Sequence, residues 1–304
     1  VGAWPALDSK DGVCLLFTSL NPLQRPFPRS GFGPRLIYVL GGYHRGTRLS
    51  TVESYYPQTA SWKQLASMVG SCSMHSCVAH KLYSVGGHGS TSGFLDTAEV
   101  YDPQTDRWQP LAKMSTARYA LGLAAVGAKI YAIGGMNHIQ TLESVEAYNP
   151  QLGAWAPVAS MGVKRTRHAS VVLDGKIYTV GGMAEGGIPL DTVEVYDPQA
   201  DSWQRVASMP QGRRLHAAAA MGGKIYVTGG IEGVGAESSA CVYDPQADAW
   251  TRLASMSIAR NNHASAAVGG KLYVFGGVGA RGPLSRTEVY DPASNSWAQG
   301  LSLT

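Results

Sequence analysis

Charged residues are scarce in this chain: Asp, Glu, Lys and Arg make up 15% of its 304 residues, against roughly 25% in an average domain. The net charge of +4 is spread thinly, and no Lys/Arg run of the kind that binds nucleic acid occurs. No apolar stretch reaches about 18 residues, the length that a membrane-spanning helix needs. We therefore expect neither a nucleic-acid nor a membrane partner.

Cysteine is also rare. The four cysteines, Cys14, Cys72, Cys77 and Cys241, form no CxxC pair and are too few for a disulfide-stabilised secreted scaffold. The first residues lack the charged-then-apolar order of a signal peptide. We therefore expect a cytoplasmic protein whose cysteines are reduced thiols, acting as small buried hydrophobes.

The usual signatures of catalysis are missing. No glycine-rich phosphate loop, HExxH motif or nucleophile elbow occurs. The eight histidines are scattered, although His168, His216 and His263 recur 48 and 47 residues apart. Such a series could suggest a metal ring, but we interpret these residues as hydrogen-bonded core histidines. The sequence predicts no catalytic residue, no metal site and no cofactor, and thus a protein that is not an enzyme.

Glycine, in contrast, is abundant, and much of it lies in a repeated motif. Residues 176–182 read KIYTVGG, and related copies end in glycine pairs that begin at 41, 86, 134, 181, 229 and 276. The steps between the pairs are 45, 48, 47, 48 and 47 residues. A period of this length indicates a repeat architecture.

One unit is clearest in residues 167–209. An apolar run at 168–173 is followed by Asp174-Gly175, a strong signal for a tight hairpin. A strand at 176–180 ends in the glycine pair, and an alternating strand at 192–196 stops at an Asp-Pro. A last strand begins near Trp203 and runs to Met209. The pattern predicts four antiparallel strands per unit and no helix.

Four-stranded sheets that repeat radially are the blades of a β-propeller. Because one such sheet cannot bury both faces alone, each must pack on its neighbours. We expect the regularly spaced tryptophans to fill the space between blades and the glycine pairs to pass close to the axis. The tryptophans are Trp62, Trp108, Trp155, Trp203, Trp250 and Trp297. The prediction is an all-β, six-bladed propeller over residues 35–304, preceded by an irregular segment and linker at 1–34.

The order of Gly-Gly, Tyr and Trp resembles the Kelch repeat, and six consecutive copies cover about nine-tenths of the chain. The arrangement is most similar to the propeller of the Kelch-like proteins. That resemblance implies an adaptor that recruits substrates to a cullin ubiquitin ligase through BTB and BACK domains placed ahead of the propeller. No such domain precedes the repeats here, so we expect the recognition part alone, with a cullin reached only through those other domains.

Closure of the ring is left open by the sequence. Only five apolar first strands lie between glycine pairs, so the sixth must come from elsewhere. Residues 12–20 (GVCLLFTSL) could supply it. Alternatively the natural protein is longer, or the first blade is incomplete and leaves an unpaired edge.

Two classes of loop should meet at the mouth of the channel, where propellers bind ligands. One class precedes each first strand and the other follows each glycine pair. In Kelch-like proteins these loops form the pocket for a short peptide of the substrate. The corresponding residues here are Tyr43, His44, Arg45, Ser71, His88, Tyr119, Asn137, His138, Thr166, Arg167, Arg214, Asn261 and Asn262. Ala120, Cys72 and Leu215 depart from the polar pattern, so no known specificity can be transferred.

Arginines in these loops are of two kinds. Arg118, Arg165, Arg213 and Arg260 recur once per unit, and we expect them to be structural, pairing with loop carbonyls or acidic partners. Arg167 and Arg214 are additional to the repeat, and an arginine at a pocket mouth favours bidentate binding of a carboxylate or phosphate. The predicted ligand is a short acidic or phosphorylated peptide.

Two other functions remain as alternatives. Some Kelch proteins bind actin, so the chain could be a cytoskeletal scaffold. Some propellers oxidise sugars with copper held by paired Tyr and His and a Cys-linked Tyr, but those ligands cannot be assembled in this sequence.

Overall fold

A computed structural model describes residues 37–44, 47–56, 61–68, 72–73, 82–89 and 93–300. These residues form β-strands and one short 3-10 turn, Glu185–Gly187, and they build a β-propeller, which confirms the predicted fold class. None of the helical structure in the described ranges is long and apolar enough to cross a membrane.

Four blades contain four antiparallel strands each, hydrogen-bonded in chain order. Blade 3 consists of Gly122–Val126, Lys129–Ile133, Val145–Asn149 and Ala154–Val158. Blade 4 consists of Ala169–Leu173, Lys176–Val180, Val193–Asp197 and Ser202–Val206. Blade 5 consists of Ala217–Met221, Lys224–Thr228, Ala240–Asp244 and Ala249–Leu253. Blade 6 consists of Ala264–Val268, Lys271–Phe275, Thr287–Asp291 and Ser296–Gln299, with a small ribbon of Val278–Gly279 and Gly282–Pro283.

Two further sheets have three strands each within the described residues. Blade 1 consists of Ile37–His44, Thr47–Tyr56 and Ser61–Leu65. Blade 2 consists of Leu82–Val85, Ala98–Asp102 and Arg107–Pro110, beside a separate pair of Cys72–Ser73 and His88–Gly89. The proposed closing strand at 12–20 and most of the predicted first strand at 73–79 lie outside the described residues.

The first strands line the axis. Those of blades 3, 4, 5 and 6 contact one another in succession, while each also forms one edge of its own sheet. The apolar core lies between the sheets: one cluster joins Val180 and Val193 of blade 4 to Ile225 and Val227 of blade 5. The residues preceding each first strand therefore lie at one end of the axis, and the hairpin turns that follow it lie at the other.

The glycine pairs are required by the close approach of two loop carbonyls, one from the next blade and one from the same blade. In blade 4, Gly181 (φ +56°) and Gly182 (φ +102°) have left-handed conformations. A Cβ at Gly181 would lie 2.7 Å from the carbonyl oxygen of Arg213, and one at Gly182 would lie 2.7 Å from that of Thr166. The Gly182 N–H donates to the Arg213 carbonyl at 2.8 Å, so the pair forms part of the joint between blades 4 and 5.

In a second joint between blades, two side chains of one blade form hydrogen bonds with the N–H and the carbonyl of a single alanine in the preceding blade. The Ala159 carbonyl accepts the indole N–H of Trp203 at 2.8 Å, and the Ala159 N–H donates to the Asp201 carboxylate at 2.9 Å. Asp201 also accepts the Tyr196 hydroxyl at 2.6 Å, and this bond is the main reason that its pKa is lowered. We call this arrangement the alanine clamp.

The same clamp recurs at Ala66, Ala207 and Ala254. The predicted role of the tryptophans between blades is thus confirmed for Trp108, Trp155, Trp203, Trp250 and Trp297, each of which donates to the preceding blade. Most of these indoles are only half-buried, so they act as hydrogen-bond donors as well as packing groups. The side chain of Trp62 lies outside the described part of the chain.

Blade 3 has only half of the clamp. Trp155 donates to the Ala112 carbonyl at 2.8 Å, but Gly153 stands where blades 2, 4, 5 and 6 have Asp106, Asp201, Asp248 and Asn295. Those four residues have φ between 45° and 52°, and Gly153 has φ +64°.

The recurring arginines are structural, as predicted. Arg118, Arg165 and Arg260 are fully buried and pair with Glu146, Glu194 and Glu288 at 2.7, 2.6 and 2.7 Å. Each carboxylate also accepts a backbone N–H, from Ser115, Gly162 and Ser257 respectively.

Blade 5 departs from this arrangement. Arg213 is buried and donates to the Gly229 and Ser239 carbonyls at 2.9 and 3.4 Å. The position of the glutamate is occupied by Cys241, a buried free thiol whose pKa is raised to about 11 by burial. Pro210 stands where the other blades have the N–H donor. The carboxylate and its donor are thus both replaced, while the arginine remains.

Strand boundaries differ slightly from the predicted ones. The last strand of blade 4 ends at Val206 and not at Met209, because the chain turns inward there and buries the Met209 side chain. The Asp174-Gly175 hairpin is confirmed, with φ of 50° and 74°. The side chains of the other three cysteines lie outside the described residues.

We expect Gly153→Asp to stabilise the propeller. The new carboxylate would accept the Tyr148 hydroxyl and the Ala112 N–H, and should raise the free energy of unfolding by about 1 kcal/mol. Gly153→Ala is the matched control, because it adds the left-handed strain without an acceptor. Urea unfolding measures both, and an Asp variant no more stable than the Ala variant would contradict the clamp.

We also expect Arg165→Met and Arg213→Met to differ strongly in cost. Arg165→Met leaves Glu194 buried without its partner, which should cost about 3–5 kcal/mol. Arg213→Met leaves no buried carboxylate behind, and should cost about 1 kcal/mol through its lost hydrogen bonds. Denaturant midpoints of the two variants measure the difference; equal losses would show that Cys241 and Pro210 do not compensate for the missing glutamate.

Candidate functional site

The two predicted classes of loop meet at one end of the axis. In four blades, the residue three positions before the first strand and the residue after the glycine pair exchange backbone hydrogen bonds of 2.8 to 3.0 Å. The pairs are Tyr119 with Met136, Thr166 with Met183, Arg214 with Ile231, and Asn261 with Val278. We call the surface formed by these loops the loop face.

A belt of backbone hydrogen bonds links the blades across the loop face. The Arg167 N–H donates to the Ala120 carbonyl, the Leu215 N–H to Arg167, and the Asn262 N–H to Leu215, at 2.9, 3.0 and 2.8 Å. All four residues are left-handed, with φ from 52° to 56°, a conformation that costs about 1–2 kcal/mol for residues with a Cβ.

Arg167 lies on the belt, and Arg214 of the next blade directly precedes the belt residue Leu215. The Arg167 guanidinium is near the Met183 sulfur, with Nη1 to Sδ at 3.8 Å, and its Nε has no hydrogen-bond partner. The Arg214 Nη1 donates to the Gly187 carbonyl at 3.1 Å. Within the described ranges neither guanidinium pairs with a carboxylate, in contrast to Arg118, Arg165 and Arg260. No carboxylate in the described part of the chain therefore neutralises their positive charge.

Aromatic rings cover the loop face over blades 2 and 3. Phe94 stacks on Tyr119 at 5.0 Å and on His138 at 4.4 Å, with interplanar angles of 7° and 11°. His88 meets Phe94 and Tyr119 edge-on at 5.3 and 6.0 Å. Phe94 was not among the predicted contact residues, yet it joins three that were: His88, Tyr119 and His138. The sequence feature that could have identified Phe94 is its position as an aromatic residue in the polar loop that follows a glycine pair.

Other predicted contact residues are used by the loops themselves. Thr166 has 0% exposure and donates its hydroxyl to the Ala120 carbonyl at 3.3 Å, so its side chain serves the fold and is not accessible to a ligand. The Asn137 side chain accepts the backbone N–H of Ile139 and of Gln140 at 2.9 and 2.8 Å. Asn261 donates to the Val278 carbonyl at 3.1 Å. Asn262 is half-buried on the belt.

Four predicted residues cannot be placed fully. Tyr43 and His44 end the first strand of blade 1 and pair with Arg48 and Thr47, but their side chains lie outside the described part. Arg45 and Ser71 lie outside the described residues altogether. They remain predictions.

The three repeated histidines lie below the belt and are buried between blades. The His168, His216 and His263 rings approach the first glycine of the preceding blade: a Cβ at Gly134, Gly181 or Gly229 would lie 3.2, 3.0 or 2.7 Å from the ring Cε1. His263 shares a hydrogen bond of 2.9 Å with Thr228. His168 and His216 differ from the prediction, because no ring nitrogen of either residue has a hydrogen-bond partner among the described residues. Among the described side chains, no group of three or more potential ligands could hold a metal ion.

Repeated antiparallel sheets around an axis, with irregular loops at one end, define a β-propeller. The family models identify its repeats: the KLHDC2/KLHL20/DRC7 Kelch-repeats domain matches residues 32–230, and the Kelch motif matches residues 212–257 and 259–300. The chain belongs to the Kelch-repeat family.

Similar proteins include Kelch-like ECH-associated proteins 1A and 1B of Danio rerio. They are 34% and 33% identical to this chain over 141 residues, which is 43% of the chain in each case. The matched stretch spans 22% and 24% of the length of these relatives. The solved structure of YjhT superposes with a TM-score of 0.74 at 16% identity, covering 88% of this chain and 94% of that one, and shows the fold alone.

We expect the stability of the propeller to fall as the pH drops below about 6.5. Burial lowers the pKa of His168, His216 and His263, to about 3 for His216, and nearby buried arginines add to the effect. Below pH 6.5 the unfolded chain binds protons that the folded chain excludes, so the contribution of these histidines to stability is complete above that pH and decreases below it.

Unfolding measured across this pH range, in the wild type and in His216→Leu, tests the effect. Leucine occurs naturally at the equivalent position, Leu121. The variant should have a smaller decrease in stability, by up to about 1.4 kcal/mol per pH unit. Met209→Leu, a buried neighbour that does not titrate, should leave the pH dependence unchanged. A His216→Leu profile parallel to the wild type would contradict a neutral buried imidazole.

Proposed function

We propose that this chain is a protein-recognition propeller that binds a short acidic or phosphorylated segment at the loop face, and that it is not an enzyme. The observation that carries this proposal is the pair Arg167 and Arg214. The belt joins their backbones through Leu215, and neither guanidinium is neutralised by a carboxylate among the described residues. An arginine fork held in this way matches carboxylate and phosphate groups geometrically.

The surrounding structure supports a binding function because it fixes the position of these side chains. Arg167 comes shortly after Arg165, and Arg214 directly follows Arg213. Arg165 and Arg213 are buried and bind backbone carbonyls, which holds these loops on the blades. The belt then orders the backbone before any ligand arrives, and a preorganised site loses less conformational entropy on binding. Lys164 contributes less than its charge suggests, since it faces Glu143 at 3.8 Å.

We extend the proposal to a substrate receptor of a cullin-based ubiquitin ligase that acts in the cytoplasm. The support is the similarity to the two Kelch-like relatives, which extend well beyond the matched stretch. Those parts of a longer protein would have to supply the contact with the ligase. The actin-binding alternative is tested directly by co-sedimentation of the chain with actin filaments, where our proposal expects no pelleting.

Binding to an array of short synthetic peptides tests the site. Peptides with Asp, Glu or phosphoserine at the centre should bind the chain, and those with Lys should not. Arg167→Glu with Arg214→Glu should reduce binding by tenfold or more, because two attractive charges are replaced by two that repel an acidic ligand. Arg107→Glu with Arg252→Glu is the matched control, since both residues are exposed on outer strands.

All variants should keep the wild-type melting temperature, because the four replaced arginines are not buried in the core. Unchanged binding of acidic peptides by the Arg167/Arg214 variant, or equal binding of acidic and basic peptides by the wild type, would disprove the proposal. Higher salt should weaken binding, as expected for a partly exposed charged site.

A further inference from the structure

Large apolar side chains are exposed on the loop face in a regular arrangement. The described residues include four highly exposed large hydrophobic side chains: Ile139, Leu152, Ile188 and Val234, with exposed fractions of 88%, 78%, 63% and 104%. Single exposed apolar residues are ordinary on protein surfaces. Here, however, Ile139, Ile188 and Val234 all belong to the loop that follows the glycine pair, in the consecutive blades 3, 4 and 5. We call them the apolar tips.

Hydrogen-bonded turns hold the apolar tips outward. Asn137 accepts the N–H groups of Ile139 and Gln140 through its side chain, and its own N–H donates to the Gln140 carbonyl at 3.0 Å. The Ile188 carbonyl accepts the Ala184 N–H at 2.9 Å across the Glu185–Gly187 turn. The loop of Val234 is closed by the Ile231 and Ala236 bridge. Ordered apolar side chains can be covered by a partner at a low entropic cost.

The apolar tips are continuous with the proposed site. Arg214 donates to the Gly187 carbonyl, one residue before Ile188. Ile139 directly follows His138, which stacks on Phe94 and through it reaches Tyr119. An apolar arc therefore borders the two unneutralised guanidiniums over blades 2 to 5.

Charge distinguishes between the partners that could cover this arc. Glu185 and Glu232 lie within three residues of Ile188 and Val234, and both are accessible to solvent. Carboxylates beside the tips would be repelled by the anionic headgroups that attract membrane-binding loops. A protein segment can instead confine its acidic groups to Arg167 and Arg214 and place uncharged apolar side chains against the tips and their neighbouring glutamates.

We propose that the apolar tips are a second contact zone of the same site, and that its ligand is a protein segment in which acidic residues are flanked by aliphatic or aromatic side chains. The inference rests on the proposed function, because the acidic residues are those held by Arg167 and Arg214. The tips supply the apolar contact area that exposed charge pairs alone do not, since such pairs contribute little in water.

Selection from a phage-displayed library of random peptides on the intact chain tests this inference. Enriched peptides should combine Asp or Glu with Leu, Ile, Val, Phe, Tyr or Trp. A synthetic enriched peptide should bind the triple variant Ile139→Ser, Ile188→Ser, Val234→Ser about tenfold more weakly than the wild type. Leu152→Ser is the matched control: Leu152 is similarly exposed but lies on the opposite face, in the turn between the last two strands of blade 3, and its replacement should leave binding unchanged.

The outcomes separate the two proposals. Enriched peptides that are acidic without apolar residues, together with equal binding by the triple variant, would overturn the role of the tips and leave the arginine site standing. A lack of acidic enrichment would overturn both. Binding of the chain to vesicles of phosphatidylcholine and phosphatidylserine that is lost in the triple variant would assign the tips to a membrane and also overturn the inference.

Discussion

The propeller depends on the alanine clamp, in which one blade binds the N–H and the carbonyl of a single alanine in the blade before it. No blade can bury both of its faces, so neighbouring sheets must be held in register as well as packed together. The apolar core supplies most of the stabilisation but little direction, whereas the indole and carboxylate bonds around Ala159 fix how the sheets meet. A uniform joint of this kind allows the loops to vary without loss of the fold.

Because the joints between blades are uniform, the side chains of the loop face can vary without loss of the fold. The backbone of this face is ordered by the paired loops and the belt, while its side chains differ from blade to blade. Arg167 and Leu215 occupy equivalent left-handed positions on the belt, yet one offers a guanidinium and the other an isobutyl group. Buried charges, in contrast, are matched to their surroundings. Arg165 and Arg260 pair with glutamates. In blade 5, Cys241 replaces the glutamate, and Pro210 lacks the backbone N–H that would have donated to it.

Much of the fold could be predicted from the sequence because the residues that each blade requires recur at the same positions in successive units. The glycine pairs, the Asp174-Gly175 hairpin and the spaced tryptophans follow from backbone and packing rules that act locally. The belt could not be predicted, because left-handed conformations at Ala120, Arg167 and Leu215 are imposed by the neighbouring blade and contradict the local preference of those residues. Phe94 and the burial of Thr166 were missed for a similar reason, since both depend on contacts between separate loops.

The central claim is that the repeated joints serve the fold and the irregular loop face selects the partner. Hydrogen–deuterium exchange of the chain with and without a selected peptide tests it most directly. The account predicts that protection is gained at residues 136–141, 166–167, 183–189, 214–215 and 231–236 and nowhere on the turns at the opposite end of the axis. Protection centred on those turns, such as residues 150–153 or 198–201, would contradict it.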